Sequence, residues 1–275
     1  MPKIVVQKKI LLLLFTFLLI PPFLSTFLCF AQTKDSSEAR RNEILALLKR
    51  KSQSVKTLEA TLKIGIPHPT APLVQWSESL LAWQAEPEFL YVKGYKSLVP
   101  LYFLLKSKEG EFWLYLARQY TIFHGKNEVL EREIDIDLKL RPQDIIAGLR
   151  FPDLGSDDKV ERLLSFEDKP IRGGYQLILK RQNGNVVRRI NFDSNNNPIQ
   201  VIEHNELGFP VLEITNDDWR MVGNVSFPFS IKIKRLLPRP SALILQIKEL
   251  RPNARLEPKI FSNQFPQDAK NVELK

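Results

Sequence analysis

Histidine and cysteine, the residue types most often used to bind metals or to activate a nucleophile, are scarce in this sequence. Of its 275 residues, three are His and one is Cys. The histidines, His68, His124 and His204, share no paired-ligand spacing, and none belongs to a His-Glu-x-x-His motif. The single cysteine, Cys29, excludes a disulfide framework and any Cys-rich zinc or iron–sulfur site. We therefore expect no metal and no cofactor.

The densest set of carboxylates follows one predicted strand, Glu131–Leu140. Its acidic residues alternate with apolar ones, so the carboxylates share one face of the strand. They are Glu131, Glu133, Asp135 and Asp137. A strand face made of carboxylates is typical of a solvated surface rather than of a paired acid and base. Because the sequence also has no Gly-x-Ser-x-Gly motif and no Walker-type loop, we expect a protein that is not an enzyme.

Composition narrows the class of protein further. The chain carries 40 basic and 31 acidic residues, a net charge of +9, and 44% of its residues are hydrophobic, which excludes global disorder. With 11 Gly against 19 Pro, Gly-rich phosphate-binding loops are disfavoured. The basic charge forms no stripe, and its densest piece, Arg181 to Arg189, is a predicted hairpin whose cations protect a sheet edge. Nucleic acid is therefore not an expected partner.

The first 31 residues have the pattern of an export signal. Lys3, Lys8 and Lys9 precede the apolar run Ile10–Ile20, and the sequence turns polar from Gln32. A basic start, an apolar middle and a small residue at the boundary predict a secretory signal peptide cleaved after Ala31. The mature chain would then be one domain, residues 32–275, located in the periplasm.

Two alternatives for the N-terminus stay open. Cys29 stands where the lipidated Cys of a lipoprotein would stand, although the residues before it, Phe27 and Leu28, are bulky. The apolar stretch also approaches the roughly 20 residues that a membrane-spanning helix needs. Pro21 and Pro22 disfavour a regular helix there. In all three cases the rest of the chain lies outside the cytoplasm, and in the last two the N-terminus contacts the membrane.

One amphipathic helix precedes a long series of strands. Asp35, Ser36 and Ser37 are N-cap candidates for a helix that runs to about Ser52, and its narrow apolar stripe is Ile44, Leu47 and Leu48. From Thr57 the hydrophobic period changes from 3.6 to 2, which indicates strands. The predicted strands are Thr57–Ile66, Leu73–Gln84, Glu88–Tyr95, Val99–Ser107, Glu111–Ala117, Tyr120–His124, Glu131–Leu140, Gly174–Arg181, Val186–Asp193, Pro198–Asn205, Val211–Arg220, Val225–Leu236 and Ala242–Arg251.

The short turns between these strands predict one antiparallel sheet from Thr57 to Arg251, interrupted once between Arg141 and Phe166. Two short helices, Pro142–Leu149 and Lys159–Leu164, fill the interruption, and Pro142 suits the first turn of its helix. So large a sheet must curl or close. The predicted fold is therefore mainly β: a single curled antiparallel sheet, covered by an N-terminal helix and by the pair of short helices in the middle of the chain.

Aromatic residues crowd the first half of the predicted sheet, and in Val99–Leu105 both strand faces are apolar. Burial on both sides, or a lined cavity, is needed for such a strand. The crowded residues are Trp76, Trp83, Phe89, Tyr91, Tyr95, Tyr102, Phe103, Phe112, Trp113 and Tyr115. They indicate either a well-filled core or a site for a hydrophobic ligand.

An ordered set of segments resembles the LolA/LolB-type lipoprotein-localisation proteins. The "strand, Pro, strand" block Leu81–Val92 and the following hairpin Leu104–Tyr115 are similar to theirs. The later segments that resemble the family are Arg189–Asp193, Pro198-Ile199, Phe227–Phe229, Ile231–Ile233, Leu250–Asn253, Phe261 and Phe265-Pro266. The similarity covers the chain from about Arg40 to its end, in the family's order.

This resemblance implies an unclosed β-barrel with a helical lid and an apolar cavity for the acyl chains of lipoproteins. The expected function is an exported, monomeric carrier or binder of lipid-modified cargo in lipoprotein traffic to the outer membrane, with lipoproteins or other acylated molecules and the envelope's lipoprotein-export machinery as partners. The alternative is a sensing or assembly module that uses the same half-barrel to recognise a lipidic envelope component. The chain departs from the family at Glu86, because the carriers have an Arg before this Pro that latches the lid. Either another cation does that work or the lid mechanism is absent.

Within this frame we predict which side chains form the site. The expected cavity lining is Leu62, Ile64, Trp83, Leu101, Phe103, Phe112 and Leu114. The expected lid residues are Ile145, Ile146 and Leu149 of the first short helix and Leu163 and Leu164 of the second. Short helices have little stability of their own, so such a lid depends on what it packs against.

Overall fold

The computed structural model describes residues 39, 42–68, 73–96, 99–131, 141–152, 165–167, 174–181, 183–262 and 265–275. The chain forms two units, Met1–Ala46 and Leu47–Lys275, and the sheet and the candidate site belong to the second. The predicted signal peptide with Cys29, most of the acidic strand and the second short helix with Leu163 and Leu164 lie outside the described residues. None of the described helices is both long and apolar enough to cross a bilayer.

Fourteen strands form a single sheet with β1 near its middle. Their order across the sheet is β14-β6-β5-β4-β3-β2-β1-β13-β12-β11-β10-β9-β8-β7. The strands are β1 (Thr57–Pro67), β2 (Val74–Gln84), β3 (Phe89–Lys96), β4 (Val99–Lys108), β5 (Glu111–Leu116), β6 (Thr121–Lys126), β7 (Ser165–Glu167), β8 (Tyr175–Lys180), β9 (Val186–Phe192), β10 (Pro198–His204), β11 (Pro210–Val222), β12 (Val225–Arg235), β13 (Ser241–Pro252) and β14 (Lys270–Glu273).

The predicted mainly-β fold with one unclosed sheet is confirmed. Strands β1 to β13 pair antiparallel, and the longest-range pair, β1 with β13, joins the two halves of the sheet. Two details of the prediction were wrong. The last strand, β14, pairs parallel to β6, which extends the sheet beyond Arg251. Glu131 belongs to a 3-10 turn, Asn127–Glu131, rather than to a strand.

The described residues include three short α-helices. They are α1 (residues 42–54), α2 (Pro142–Leu149) and α3 (Pro258–Phe261). In α1, Ile44 and Leu48 are buried and Leu47 is half-buried, while Lys49 is exposed, as the apolar stripe predicted. The bounds of α2 agree with the prediction, and Pro142 occupies its first turn.

The position of α2 shows that the sheet curls. This helix contacts both β12 and β4, which are five positions apart in the order of the strands. In a flat sheet such strands would be about 24 Å apart, since neighbours are about 4.8 Å apart. A helix is only about 10–12 Å wide with its side chains. The sheet therefore bends around α2, and α2 lies on its concave side.

The outer face of β2 to β6 is covered by the C-terminal segment. Tyr91, Leu104 and Tyr115 form a buried cluster there with Leu256 and Ala269 from that segment. The ammonium of Lys106 donates a hydrogen bond to the carbonyl of Ser262 and lies 5.3 Å from the ring centre of Phe265. Burial lowers the pKa of Lys106. The C-terminal segment thus explains why both faces of β4 are apolar.

Candidate functional site

The inner face of the sheet is the face that carries Ile231 and Ile233 of β12 against α2. A Cβ atom placed on Gly148 of α2 would lie 2.7 Å from Cδ1 of Ile233 and 3.2 Å from Cγ2 of Ile231. The backbone of α2 at Gly148 therefore lies directly against the side chains of β12. Gly148 is what allows α2 to approach the sheet this closely.

The pairing of the strands shows which residues share the inner face from β12 to β5. Residues directly opposite each other on antiparallel strands point to the same side of the sheet. Ile231 opposes Leu245, and Leu245 opposes Ile64. Leu62 opposes Ser79, which opposes Gly94, and Gly94 opposes Phe103. A continuous inner surface thus crosses seven strands, from β12 to β5.

Six of the seven residues predicted to line a cavity share this inner face. Leu62, Ile64, Trp83, Phe103, Phe112 and Leu114 are placed there by register, and all six are buried. The ring of Phe103 lies directly over the backbone of Gly94, where no Cβ would fit. The sheet thus brings together residues that are up to 52 positions apart in the sequence.

Leu101 differs from the other six residues. It is half-buried and packs against the outer cluster that the C-terminal segment covers. We therefore leave Leu101 out of the candidate lining.

The three predicted lid residues that the structure describes are all buried. Ile145, Ile146 and Leu149 lie on α2, on the concave side of the sheet. Phe151, just after the helix, packs edge-on against Phe227 of β12 at 6.1 Å between ring centres. Apolar contacts thus hold α2 in place along its length.

A buried ion pair fixes the N-terminal part of α2. Both carboxylate oxygens of Asp144 accept hydrogen bonds from the guanidinium of Arg235 at the end of β12, and the Nε–Oδ2 distance is 2.9 Å. The two side chains are 9% and 12% exposed. Two parallel hydrogen bonds to one carboxylate fix both position and orientation. The pair therefore sets where the helix begins on the sheet.

A second, more exposed ion pair lies at the other end of α2. Arg150 follows the helix and contacts Glu88, in the turn between β2 and β3, at 3.3 Å. Its guanidinium also lies 5.8 Å from the ring centre of Trp83 on the inner face. Glu86, in the same turn, is exposed. A cation next to the helix and an acid in the turn between β2 and β3 thus meet at this end of α2.

Replacing Arg150 with Ala should lower the free energy of unfolding by less than about 1 kcal/mol, because both partners are about two-fifths exposed and such pairs contribute little. Urea unfolding of the variant and of the wild type would measure this. Glu88→Ala is the matched variant, and a double-mutant cycle isolates the contact. A loss above about 2 kcal/mol would show that the pair is stronger than its exposure indicates.

Lys51 connects α1 to the segment that follows α2. Its ammonium donates a hydrogen bond to the carbonyl of Asn196 at 3.3 Å and lies 5.6 Å from the ring centre of Phe151. Burial lowers the pKa of Lys51, and nearby Asp193 partly offsets this. Lys51 thus links α1, the segment after α2 and the turn between β9 and β10.

On β2, two polar atoms of the inner face have no hydrogen-bond partner among the described residues. They are Oγ of Ser79 and Nε1 of Trp83, both on β2 and both buried. A buried donor without a partner costs free energy, so each could donate to a ligand that enters. The sequence marked Trp83 as an apolar residue only. It gave no reason to single out Ser79, whose place on the inner face follows from register alone.

Two surface cavities lie away from this interior. Their volumes are about 260 and 300 Å³, and both are lined by Trp113 and His124 on the outer side of β5 and β6. The residues of α2 and the inner face listed above do not line either of them. Within the described ranges, no three His, Cys, Asp or Glu side chains are grouped closely enough to hold a metal ion.

An open, curled sheet with a short helix on its concave side defines a known class of fold, and solved structures share it. A DUF1329 family protein from Desulfovibrio piger superimposes with a TM-score of 0.57 and 11% identity, over 80% of this chain and 95% of that one. A LolA superfamily protein from Nitrosomonas europaea gives 0.53 and 12%, over 82% and 98%. A proposed outer membrane lipoprotein-sorting protein domain from Vibrio parahaemolyticus gives 0.53 and 13%, over 80% and 94%.

These similarities confirm the LolA-like fold that the sequence motifs predicted. At 11–13% identity they concern the fold alone. No protein-family model matches the sequence, and no curated protein matches it either.

Proposed function

We propose that this protein is an exported binder or carrier of lipid-modified cargo, and that acyl chains occupy the interior of the curled sheet when α2 moves out. The single observation that carries the proposal is the contact between α2 and the inner face. A helix of eight residues contacts β12 and β4 on the concave side of an apolar surface that spans seven strands. The same surface would be available to another apolar group of similar width.

The energetics favour exchange between helix and ligand. Each CH₂ group of an acyl chain that leaves water contributes about 0.8 kcal/mol. Ile145, Ile146 and Leu149 make comparable apolar contacts, so the chain and the helix compete for one surface. The two ion pairs at the ends of α2 would set the cost of opening. The buried pair of Asp144 and Arg235 would contribute most of that cost, and the exposed pair of Arg150 and Glu88 would add less than about 1 kcal/mol.

Ser79 and Trp83 would supply the polar contacts. An acylated glyceryl group has ester carbonyls that accept hydrogen bonds, and the two unsatisfied donors on β2 could serve them. An apolar interior with a few convergent polar groups is typical of ligand sites.

The cellular setting follows from the N-terminal pattern and the fold. Export by residues 1–31 would place the monomeric domain, residues 32–275, in the periplasm, either soluble or tethered through Cys29 or the uncleaved segment. Lipoproteins or other acylated molecules would be the cargo, with lipoprotein-export machinery as partner, and the protein would have no enzymatic activity. Mass spectrometry of the native N-terminus separates these forms, because a Gln32 start means a soluble protein and a diacylglyceryl group on Cys29 a tethered one.

Binding of a fluorescent long-chain fatty acid tests the proposal. We expect saturable binding with one site per chain, displaced by a diacylated lipopeptide but not by the same peptide without acyl chains. Phe103→Asp, which puts a charge on the inner face, should abolish it. Thr61→Asp on the outer face of β1 is the control for an added charge. Equal binding by both variants would contradict the proposed site.

A further inference from the structure

The two ends of the sheet differ in the residues that they expose. Consecutive antiparallel strands place alternate hairpins at the same end. The turns after β1, β5, β8, β10 and β12 lie at one end, which we call the Leu207 end; their described residues are 68, 73, 117–120, 181, 183–185, 205–209 and 236–240. The turns 85–88, 109–110, 193–197 and 223–224 lie at the other, which we call the Asn195 end.

Exposed apolar side chains concentrate at the Leu207 end. Nine large apolar side chains are exposed among the described residues, and six belong to this end: Leu73, Trp76, Tyr120, Leu207, Phe209 and Leu237. Leu207 and Phe209 are 74% and 57% exposed, whereas the Asn195 end has Met221 at 67%. Single exposed apolar residues are ordinary, but a group of them at one place marks an interaction surface.

Charge separates the two ends in the same way. The described residues of the turns at the Leu207 end include Arg118, Arg181 and Arg239, and the one acid, Glu206, lies 3.8 Å from Arg181. The turns at the Asn195 end include no Lys or Arg and four acids: Glu86, Glu88, Glu109 and Asp193. By the residues of their turns, the Leu207 end is therefore cationic and apolar. The acids of the Asn195 end are partly balanced by cations from outside its turns, because Arg150 pairs with Glu88 and Lys51 binds the carbonyl of Asn196.

Two of the turns at the Leu207 end touch each other, and a third is bonded to the strand that follows one of them. The side-chain amide of Asn185 donates to the carbonyl of Glu206 at 3.0 Å, which joins the turns 181–185 and 205–209. The backbone N–H of Leu236 donates to the carbonyl of Val211 at 2.9 Å, which ties the turn 236–240 to the start of β11, just after the turn 205–209. Leu207, Phe209 and Leu237 thus project from one connected surface.

The turn 205–209 is held rigidly by its own hydrogen bonds. Oδ1 of Asn205 accepts from the backbone N–H groups of Leu207 and Phe209 at 3.1 and 2.9 Å. Gly208 supplies the positive φ of 84° that the turn requires. The exposure of the two apolar side chains is therefore a fixed feature of the hairpin.

The turn 193–197 shows that the backbone conformation of the turn 205–209 forms without apolar residues. In the turn 193–197, Oδ1 of Asp193 accepts from Asn195 and Asn197, and Asn196 takes the positive φ. The backbone hydrogen bond that closes each turn is also equivalent. The N–H of Asp193 donates to the carbonyl of Asn197 at 3.0 Å, and the N–H of Asn205 donates to the carbonyl of Phe209 at 2.9 Å. Leu207 and Phe209 thus stand where the equivalent turn has two Asn residues. Folding of the turn does not account for them.

We propose that the Leu207 end docks on the surface of an anionic lipid bilayer, with Leu207, Phe209 and Leu237 inserted among the lipids and Arg181 and Arg239 at the headgroups. Apolar side chains flanked by cations are the pattern of interfacial membrane binding, and each cation near the surface strengthens binding about fivefold. Trp76 would lie at the headgroup level, where aromatic rings that are part apolar and part polar are favoured. This inference does not depend on the cargo proposed above.

Gly65 holds Trp76 in place for this contact. A Cβ atom on Gly65 would lie 2.7 Å from the six-membered ring of Trp76, so the ring rests on the backbone of β1. The exposed edge of the Trp76 ring is thereby fixed near the Leu207 end. The fluorescence of Trp76 would therefore report the approach of lipid.

Quenching of tryptophan fluorescence by brominated lipids in vesicles tests the proposal with the full chain. Because the apolar N-terminal run can itself hold the chain on vesicles, binding alone is not informative, and the position of Trp76 is measured instead. In vesicles of phosphatidylglycerol and phosphatidylethanolamine we expect a quenched component that is lost in Trp76→Phe. The double variant L207N/F209N, which copies the turn 193–197, should lose most of that component. The control Met221→Asn at the opposite end should keep it.

Three results would overturn the proposal: no Trp76-dependent quenching in any vesicle, equal quenching in L207N/F209N and the wild type, or equal quenching in vesicles of phosphatidylcholine alone. A change from dimer to monomer on L207N/F209N without lipid quenching would also overturn it, since the surface would then bind a second copy. Circular dichroism of each variant confirms that the turn substitutions leave the sheet folded.

Discussion

Replacing Asp144 with Ala should lower the free energy of unfolding by about 3–5 kcal/mol, because it removes one partner of a buried ion pair. Arg235 would stay in its buried place at the end of β12 after losing the two hydrogen bonds that it donates to this carboxylate. Since Asp144 belongs to α2, the substitution should also loosen the helix from the inner face. Urea unfolding measures the first effect, and binding of an environment-sensitive apolar dye measures the second.

Two further variants make this result specific. Gln143→Ala changes an exposed neighbour on the same helix and should alter the free energy of unfolding by less than about 0.5 kcal/mol. The double variant D144L/R235M replaces both charges with apolar side chains and should recover most of the loss. If D144A unfolds at the same urea concentration as the wild type, the ion pair does not anchor α2.

Replacing Leu48 with Asp should lower the free energy of unfolding by about 3–5 kcal/mol. Leu48 is fully buried on α1, so the change removes an apolar side chain from the core and puts a charge in its place. Thermal and urea unfolding followed by circular dichroism would measure the loss. Ala46→Asp, two residues earlier and exposed, is the matched control and should cost less than about 1 kcal/mol. An unchanged melting temperature for L48D would mean that α1 does not belong to the stable fold.

The strands and α2 could be predicted from the sequence because their signals are local. Alternation from Leu58 to Ile64 marks β1, and Pro142 marks the start of α2. The face of each strand also follows from alternation, and six of the seven residues predicted to line a cavity share the inner face; that they line a ligand cavity stays a prediction. Trp83 and Phe103 came together on one face because the register follows from short turns.

What the sequence missed depends on contacts between distant residues. Asp144 and Arg235 are 91 positions apart, and neither has a neighbour that marks it as one half of an ion pair. The C-terminal segment has only a four-residue helix and a four-residue strand, which are too short to show a period. The cover that it gives to Tyr91 and Leu104 could therefore not be predicted, nor could the parallel pairing of β14 with β6. Leu101 was placed on the inner face because nothing in the sequence showed that an outer cluster existed.

A disulfide between α2 and β12 tests most directly whether the interior opens to bind acyl chains. Gly148→Cys with Ile233→Cys places the two thiols where the helix now touches the strand, and the shortened side chain at position 233 leaves room for the new Cys. Cys29→Ser in the same chain prevents wrong pairing. The account predicts that the oxidised protein binds a fluorescent long-chain fatty acid at least about tenfold more weakly than the reduced protein, and that reduction restores binding to the wild-type level. Equal binding by the oxidised and reduced forms would contradict a site beneath α2.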